Sequence, residues 1–223
     1  MQLARTGWPS EAERFYRKAL ARGSKVPLAE QVAPGLGDAL MDEGRYPESR
    51  ESLDSALAMG DPTGSCQSSI GQLLLLEGAE PQKALDLADK AIQIAAHDVE
   101  VRYRYDRRER GQNLGGSGAW ALKAWALAQV GRRAEARQAI DAALKLVDAA
   151  QAGSPNYYKT APAIGPDLRT VLRMRVAETQ WRTGMALPAI DERGYARTHF
   201  AAARDADPKG KYGILSQQRL KQG

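Results

Sequence analysis

A single cysteine, Cys66, stands among 223 residues, with two histidines, His97 and His199, and two phenylalanines. One thiol cannot form an intrachain disulfide, so a disulfide-stapled scaffold is excluded. Each histidine stands apart from any cysteine or acidic cluster at ligand spacing, so no metal site is expected. No Gly-x-x-x-x-Gly-Lys-Ser/Thr phosphate loop, Gly-x-Ser-x-Gly elbow or His-Glu-x-x-His pair occurs. Residues 111–118 are glycine-rich, but no lysine follows to hold a phosphate and no strand pattern precedes them, so a flexible hinge is expected there. Cys66 has no neighbouring base to make it a nucleophile and reads as a small packing residue. The chain is therefore expected to be non-enzymatic, with no cofactor.

Long apolar runs are missing as well. Residues 73–76 and 124–130 are the longest, far short of the roughly 20 needed to span a bilayer. The first nine residues lack the apolar core of a signal peptide. A soluble protein is expected, cytoplasmic or the soluble domain of a longer, membrane-anchored chain. Hydrophobic residues make up 43% and charged residues 26%, which argues against overall disorder. The net charge of +5 permits acidic partners without requiring them.

Alanine is abundant, and it is patterned. A glycine followed by a Pro, Ser or Glu signal recurs at Gly7, Gly44, Gly78 and Gly131, and Gly184 is expected to be the turn glycine of a last unit. Glycine suits the left-handed residue that ends a helix, and proline the first turn of the next. After each turn comes a small–large–small triplet spaced four and three. The triplets are Ala12, Tyr16, Ala19; Ser49, Leu53, Ala56; Ala84, Ala88, Ala91; Ala136, Ile140, Ala143; and Ala196, Phe200, Ala203. That spacing puts all three on one helical face, where small residues let a neighbouring helix come close. Before the turns stand Leu36-Gly37 with Leu40, Ile70-Gly71 with Leu74, Trp120 and Ala124 with Leu127, and Val176-Ala177 with Gln180.

These units resemble tetratricopeptide repeats, helix–turn–helix units of 34 residues. The resemblance implies an all-α right-handed superhelix with a C-terminal capping helix. Units are expected at about 1–29, 30–63, 64–98, 117–147 and 168–210, forming one domain. The turn glycines are 37, 34, 53 and 53 residues apart. The long intervals imply insertions at about 99–116 and 148–167. Residues 211–222 read as the final helix, with Tyr212, Leu215 and Leu220 inward. Only six residues precede Gly7, so an excised fragment or truncated array is expected.

The resemblance further implies a concave groove, lined by the first helix of each unit, that binds a peptide or protein segment. Carried over residue by residue, the lining is Asp38, Met41 and Asp42; Gln72 and Leu75; Trp125 and Gln129; and Glu178, Trp181 and Arg182. It carries no uniform Lys/Arg clamp for a terminal carboxylate. Trp125 and Trp181 read either as interface anchors or as packing residues against neighbouring helices. A second candidate is the basic stretch Arg102, Arg104, Arg107, Arg108 and Arg110, whose interleaved tyrosines could stack on the bases of RNA. Asp106 and Glu109 interrupt it, and helical spacing pairs them with arginines on a solvated face. A third reading is self-assembly through the open first unit.

Overall fold

The computed structural model describes residues 9–21, 28–60, 64–105, 114–157 and 168–222. Among them are ten α-helices and no strand: α1 (Pro9–Ala21), α2 (Leu28–Asp42), α3 (Tyr46–Met59), α4 (Ser65–Leu76), α5 (Pro81–Tyr105), α6 (Leu114–Gln129), α7 (Arg133–Tyr157), α8 (Leu168–Ala186), α9 (Arg193–Ala206) and α10 (Lys211–Gln222). A 3₁₀ turn (Leu187–Ile190) separates α8 from α9. The all-α class expected from the sequence is observed.

Each helix packs on its successor, and the alternate helices α2, α4, α6 and α8 also pack on one another. Four turns share one geometry. A left-handed residue occupies Gly44, Gly78, Gly131 and Asp191, at φ of 73°, 67°, 83° and 66°. The next residue's N–H reaches back to a leucine carbonyl: Arg45 to Leu40, Ala79 to Leu74, Arg132 to Leu127 and Glu192 to Leu187, at 2.9, 2.9, 2.9 and 3.0 Å. Those bonds satisfy carbonyls that the helix end would leave open, as in a Schellman motif. An added Cβ at Gly44, Gly78 or Gly131 would meet nothing. Glycine is favoured there by its backbone freedom rather than by space.

The fourth of these turns corrects the expected register. Gly184 was expected to be the last turn glycine, but it lies inside α8. The turn comes seven residues later at Asp191, two helical turns on. Gly184 has a different duty. A Cβ there would sit 2.7 Å from the Phe200 ring. The same relation holds earlier in the chain. Leu53 enters the space over Gly37, where a Cβ would lie 2.4 Å from its Cγ, and Tyr16 enters over Gly35. Tyr16, Leu53 and Phe200 are the large middle residues of their triplets. All three are buried, at 3%, 0% and 8% exposure. Ser49 adds a buried bond, its hydroxyl donating to the Gly37 carbonyl at 2.7 Å.

The largest apolar cluster runs from Met41 of α2 to Ala203 of α9. Helix α1 joins α2 through a smaller cluster of Ala12, Tyr16, Leu36, Ala39 and Leu40. Buried alanines are frequent on both sides of the helix contacts, so composition and close packing agree. Cys66 is buried beside Ala56 and Leu57. His97 lies within α5, which continues to Tyr105. The expected glycine-rich hinge is half corrected: residues 111–113 lie outside the described residues, and residues 114–118 form the first turns of α6.

Candidate binding surface

Alternate helices α2, α4, α6 and α8 carry the ten residues expected to line a groove, so the fold gathers them on one set of neighbouring elements. Their exposure divides them. Met41, Gln72, Leu75, Trp125, Trp181 and Arg182 are buried, at 4% or less, and Glu178 is at 9%. Asp38 and Asp42 are half-buried, and Gln129 is exposed.

Trp125 and Trp181 take the packing alternative. Their rings meet edge to face, centroids 5.7 Å apart at 86°. Trp181 also lies against Tyr212 of α10, at 5.4 Å. Edge-to-face contact sets the positive rim of one ring on the negative face of the other. The indoles thus join α6, α8 and α10.

Arg182 sits at the polar centre. Its Nε donates to Gln72 Oε1 of α4 at 2.9 Å, and its Nη1 donates to the Gly118 carbonyl of α6 at 2.8 Å. Its Nη2 lies 3.0 Å from Glu178 Oε1, one turn earlier on α8. The other Glu178 oxygen accepts from Arg175 Nη1 at 2.8 Å. A planar guanidinium suits three acceptors on three elements, since its donors are fixed in direction. Gly118 makes room: a Cβ there would stand 3.2 Å from Arg182 Nη1 and from Glu178 Cδ. Beside it the hydroxyls of Ser117 and Thr179 share a bond of 2.9 Å between α6 and α8. Gly118 of α6 therefore serves close approach, a need set by a residue 64 positions away.

Helix α10 crosses this region. Lys211 Nζ reaches Asp42 Oδ1 of α2 at 2.6 Å, with the two side chains 7% and 11% exposed. Tyr212 OH donates to Gln72 Oε1 at 3.2 Å. Burial pushes the Asp42 carboxyl up to about 6, against the pull of Lys211 and with help from the negative charges of Asp38 and Glu43. Burial also works against the Lys211 charge, but Asp42, Tyr212 and Asp38 outweigh it and hold the ammonium above its usual range. The pair is charged at neutral pH, and on acidification the carboxylate is lost first. Burial raises the Tyr212 phenol as well. Asp38 accepts from Ser69 Oγ of α4 at 2.6 Å.

Openings lie beside these contacts among the described residues. A polar cavity of about 80 Å³ is lined by Asp38, Ser68, Ser69, Arg175, Glu178 and Lys211, among others. That volume holds a few waters. A cleft of about 470 Å³ runs between α10 and the end of α2, lined by Met41, Glu43, Tyr46, Leu76, Trp181 and Leu215 among others.

The remaining candidates contribute less. Arg102 and Arg104 fall in the last turn of α5, while Arg107, Arg108 and Arg110 lie outside the described residues. His199 is half-buried with its Nδ1 against Gln180 Oε1, and burial lowers its pKa. Among the described residues no cluster of His, Cys, Asp or Glu could hold a metal ion, and no helix is long and apolar enough to cross a membrane.

Sequence reasoning missed Lys211, Arg175 and the close approach at Gly118. Lysine next to tyrosine at the start of an amphipathic final helix was the one available hint. No protein-family model matches the chain, and no curated protein or solved structure is significantly similar to it.

Proposed function

We propose that the chain is a non-enzymatic scaffold built of tetratricopeptide-like hairpins. In this reading they stack into a right-handed superhelix, and its concave side receives a peptide or protein segment. One observation carries the reading: the face of α2, α4 and α8 already engages a helix, α10, through side-chain contacts distant in sequence. Lys211 pairs with Asp42, Tyr212 with Gln72 and with the Trp181 ring. A face that holds one helical segment by a buried ion pair, a hydrogen bond and an aromatic contact has the chemistry to hold another. Because its side chains are fixed by mutual packing, little entropy is lost in ordering the face when a segment docks.

The test is a display selection of peptides on the immobilised full chain, followed by affinity measurement. Gln129 is exposed on α6 and Gln138 is exposed on α7. Selected peptides should lose about tenfold or more in affinity on Gln129→Arg, the effect of an altered interface residue, and keep it on Gln138→Arg. Equal effects, or no selected peptide, would count against a groove.

A further inference from the structure

The cleft of about 470 Å³ between α10 and the end of α2 falls within the roughly 300–1,000 Å³ of small-molecule sites. Met41, Tyr46, Leu76 and Leu215 give it apolar walls, and Trp181, Gln72 and Asp42 belong to the same lining. Each of these last three keeps hydrogen-bonding capacity unspent. Trp181 is 3% exposed, and its Nε1 is buried with no hydrogen-bond partner among the described residues. A buried donor without an acceptor is costly and uncommon in a folded interior. Gln72 is 1% exposed, and its Oε1 already accepts from Arg182 Nε and Tyr212 OH. Only its Nε2 donors are left to offer. Lys211 Nζ takes Asp42 Oδ1 at 2.6 Å, which leaves Oδ2. The charges of the lining are otherwise met. Asp42 faces Lys211, Glu43 faces Arg45 at 3.0 Å, and Arg219 lies exposed at the rim. The cleft therefore has little net charge with which to select an ion. It offers N–H donors, one carboxylate oxygen and an apolar wall.

We propose that this cleft is a binding site for a neutral small molecule that joins a carboxamide to a compact apolar body. The carboxamide oxygen accepts from Trp181 Nε1 and Gln72 Nε2, its NH₂ donates to Asp42 Oδ2, and the apolar body packs on Met41, Leu76 and Leu215. A carboxylate supplies acceptors but no donor, and it sets a second negative charge beside Asp42. A ketone supplies an acceptor alone and leaves Asp42 Oδ2 unmet. A primary amide answers the donors and the acceptor together. Helix α10 stays seated throughout, with Tyr212, Leu215 and Leu220 on the main apolar cluster. No docked segment is needed, so the site stands apart from the scaffold reading.

The test uses the unaltered, isotope-labelled full chain and three probes of one shape: cyclohexanecarboxamide, cyclohexanecarboxylate and cyclohexyl methyl ketone. The readouts are the Trp181 indole N–H and the Gln72 side-chain amide resonances, assigned by triple-resonance spectra. The carboxamide should move both saturably, the indole proton downfield as it gains an acceptor. The other two probes should bind at least about tenfold more weakly, the effect of one unmet buried group. Asp42→Ala should weaken the carboxamide by a similar factor and leave the ketone unchanged. Should that variant not fold, the ranking of the three probes on the unaltered chain decides. Equal binding of the three probes, or tighter binding of the carboxylate, would overturn the proposal. So would a carboxamide that moves the indoles of Trp120 or Trp125 but not that of Trp181. Tighter binding of N-acetylglutamine methylamide than of cyclohexanecarboxamide would assign the carboxamide to a peptide side chain and overturn the small-molecule assignment.

Discussion

Replacing Arg182 with Met removes the guanidinium that joins α4, α6 and α8 while keeping an unbranched apolar stem. Three acceptors lose a donor: Gln72 Oε1, the Gly118 carbonyl and Glu178 Oε1. Two have a fallback, because Tyr212 still donates to Gln72 and Arg175 still faces Glu178. The Gly118 carbonyl, inside α6, keeps only the intrahelical bond that helix geometry supplies, and Glu178 keeps its charge at 9% exposure with one cationic partner instead of two. Removing one member of a buried ion pair costs about 3–5 kcal/mol, because the other charge stays desolvated. Typical stabilities are about 5–15 kcal/mol, so the loss is about 30–50% of the total at mid-range. For a chain of this size each kcal/mol moves Tm by about 2–4 °C, so a fall of roughly 6–20 °C is expected. Urea unfolding followed by helical circular dichroism measures it, provided the m-value is unchanged. The comparison is Arg132→Met, which breaks the surface pair with Glu135 and should shift the midpoint little. If both variants shift the midpoint equally, Arg182 is not the pin between the three helices.

Three further outcomes follow from the geometry. Gly184→Ala should destabilise by about 1–3 kcal/mol, because the new Cβ meets the Phe200 ring, whereas Gly194→Ala, with open space around it, should be neutral or slightly stabilising; thermal melts of both variants check this. Asp191→Gly should stabilise by up to about 1 kcal/mol by relieving a left-handed non-glycine residue, read from the urea midpoint. Asp42 gives a pH dependence of known sign. Its folded pKa, about 6, lies above the ordinary aspartate value of 3.8, so the folded state holds the proton more tightly. Its contribution to stability is fully present below pH 3.8 and lost as pH rises through 6, with a slope of up to about 1.4 kcal/mol per pH unit. Asp42→Asn should flatten that part of the stability–pH curve, and an Asp42 carboxyl resonance that titrates near 4 instead would refute it.

The elements were legible where local rules act alone. The triplet Ser49, Leu53, Ala56 is buried as its spacing required, and glycine turns at 44, 78 and 131 announced three helix ends. The last turn was misread because Asp191 adopts a conformation that glycine usually takes, while Gly184 offered a plausible decoy two helical turns earlier. The glycine-rich 114–118 stretch reads locally as a breaker. It is helical, and Gly118 within it admits Arg182 and Glu178, a contact that no window of neighbouring residues contains. The ten residues expected to line a groove fall on the alternate helices α2, α4, α6 and α8, but most of them are buried. Whether Trp125 faced a partner or a neighbour depended on Trp181, 56 positions later, and on a final helix that supplies Tyr212. Periodicity assigns a residue to a face; what covers that face is fixed by segments far away in sequence.

The most direct test of the scaffold reading is chemical-shift mapping of a display-selected peptide on the isotope-labelled full chain. The account predicts the largest shifts at exposed or half-buried positions of the alternate helices, Asp38 and Asp42 on α2, Ser68 on α4 and Gln129 on α6. Shifts confined to the intervening helices α3, α5 and α7, with those positions unmoved, would contradict it.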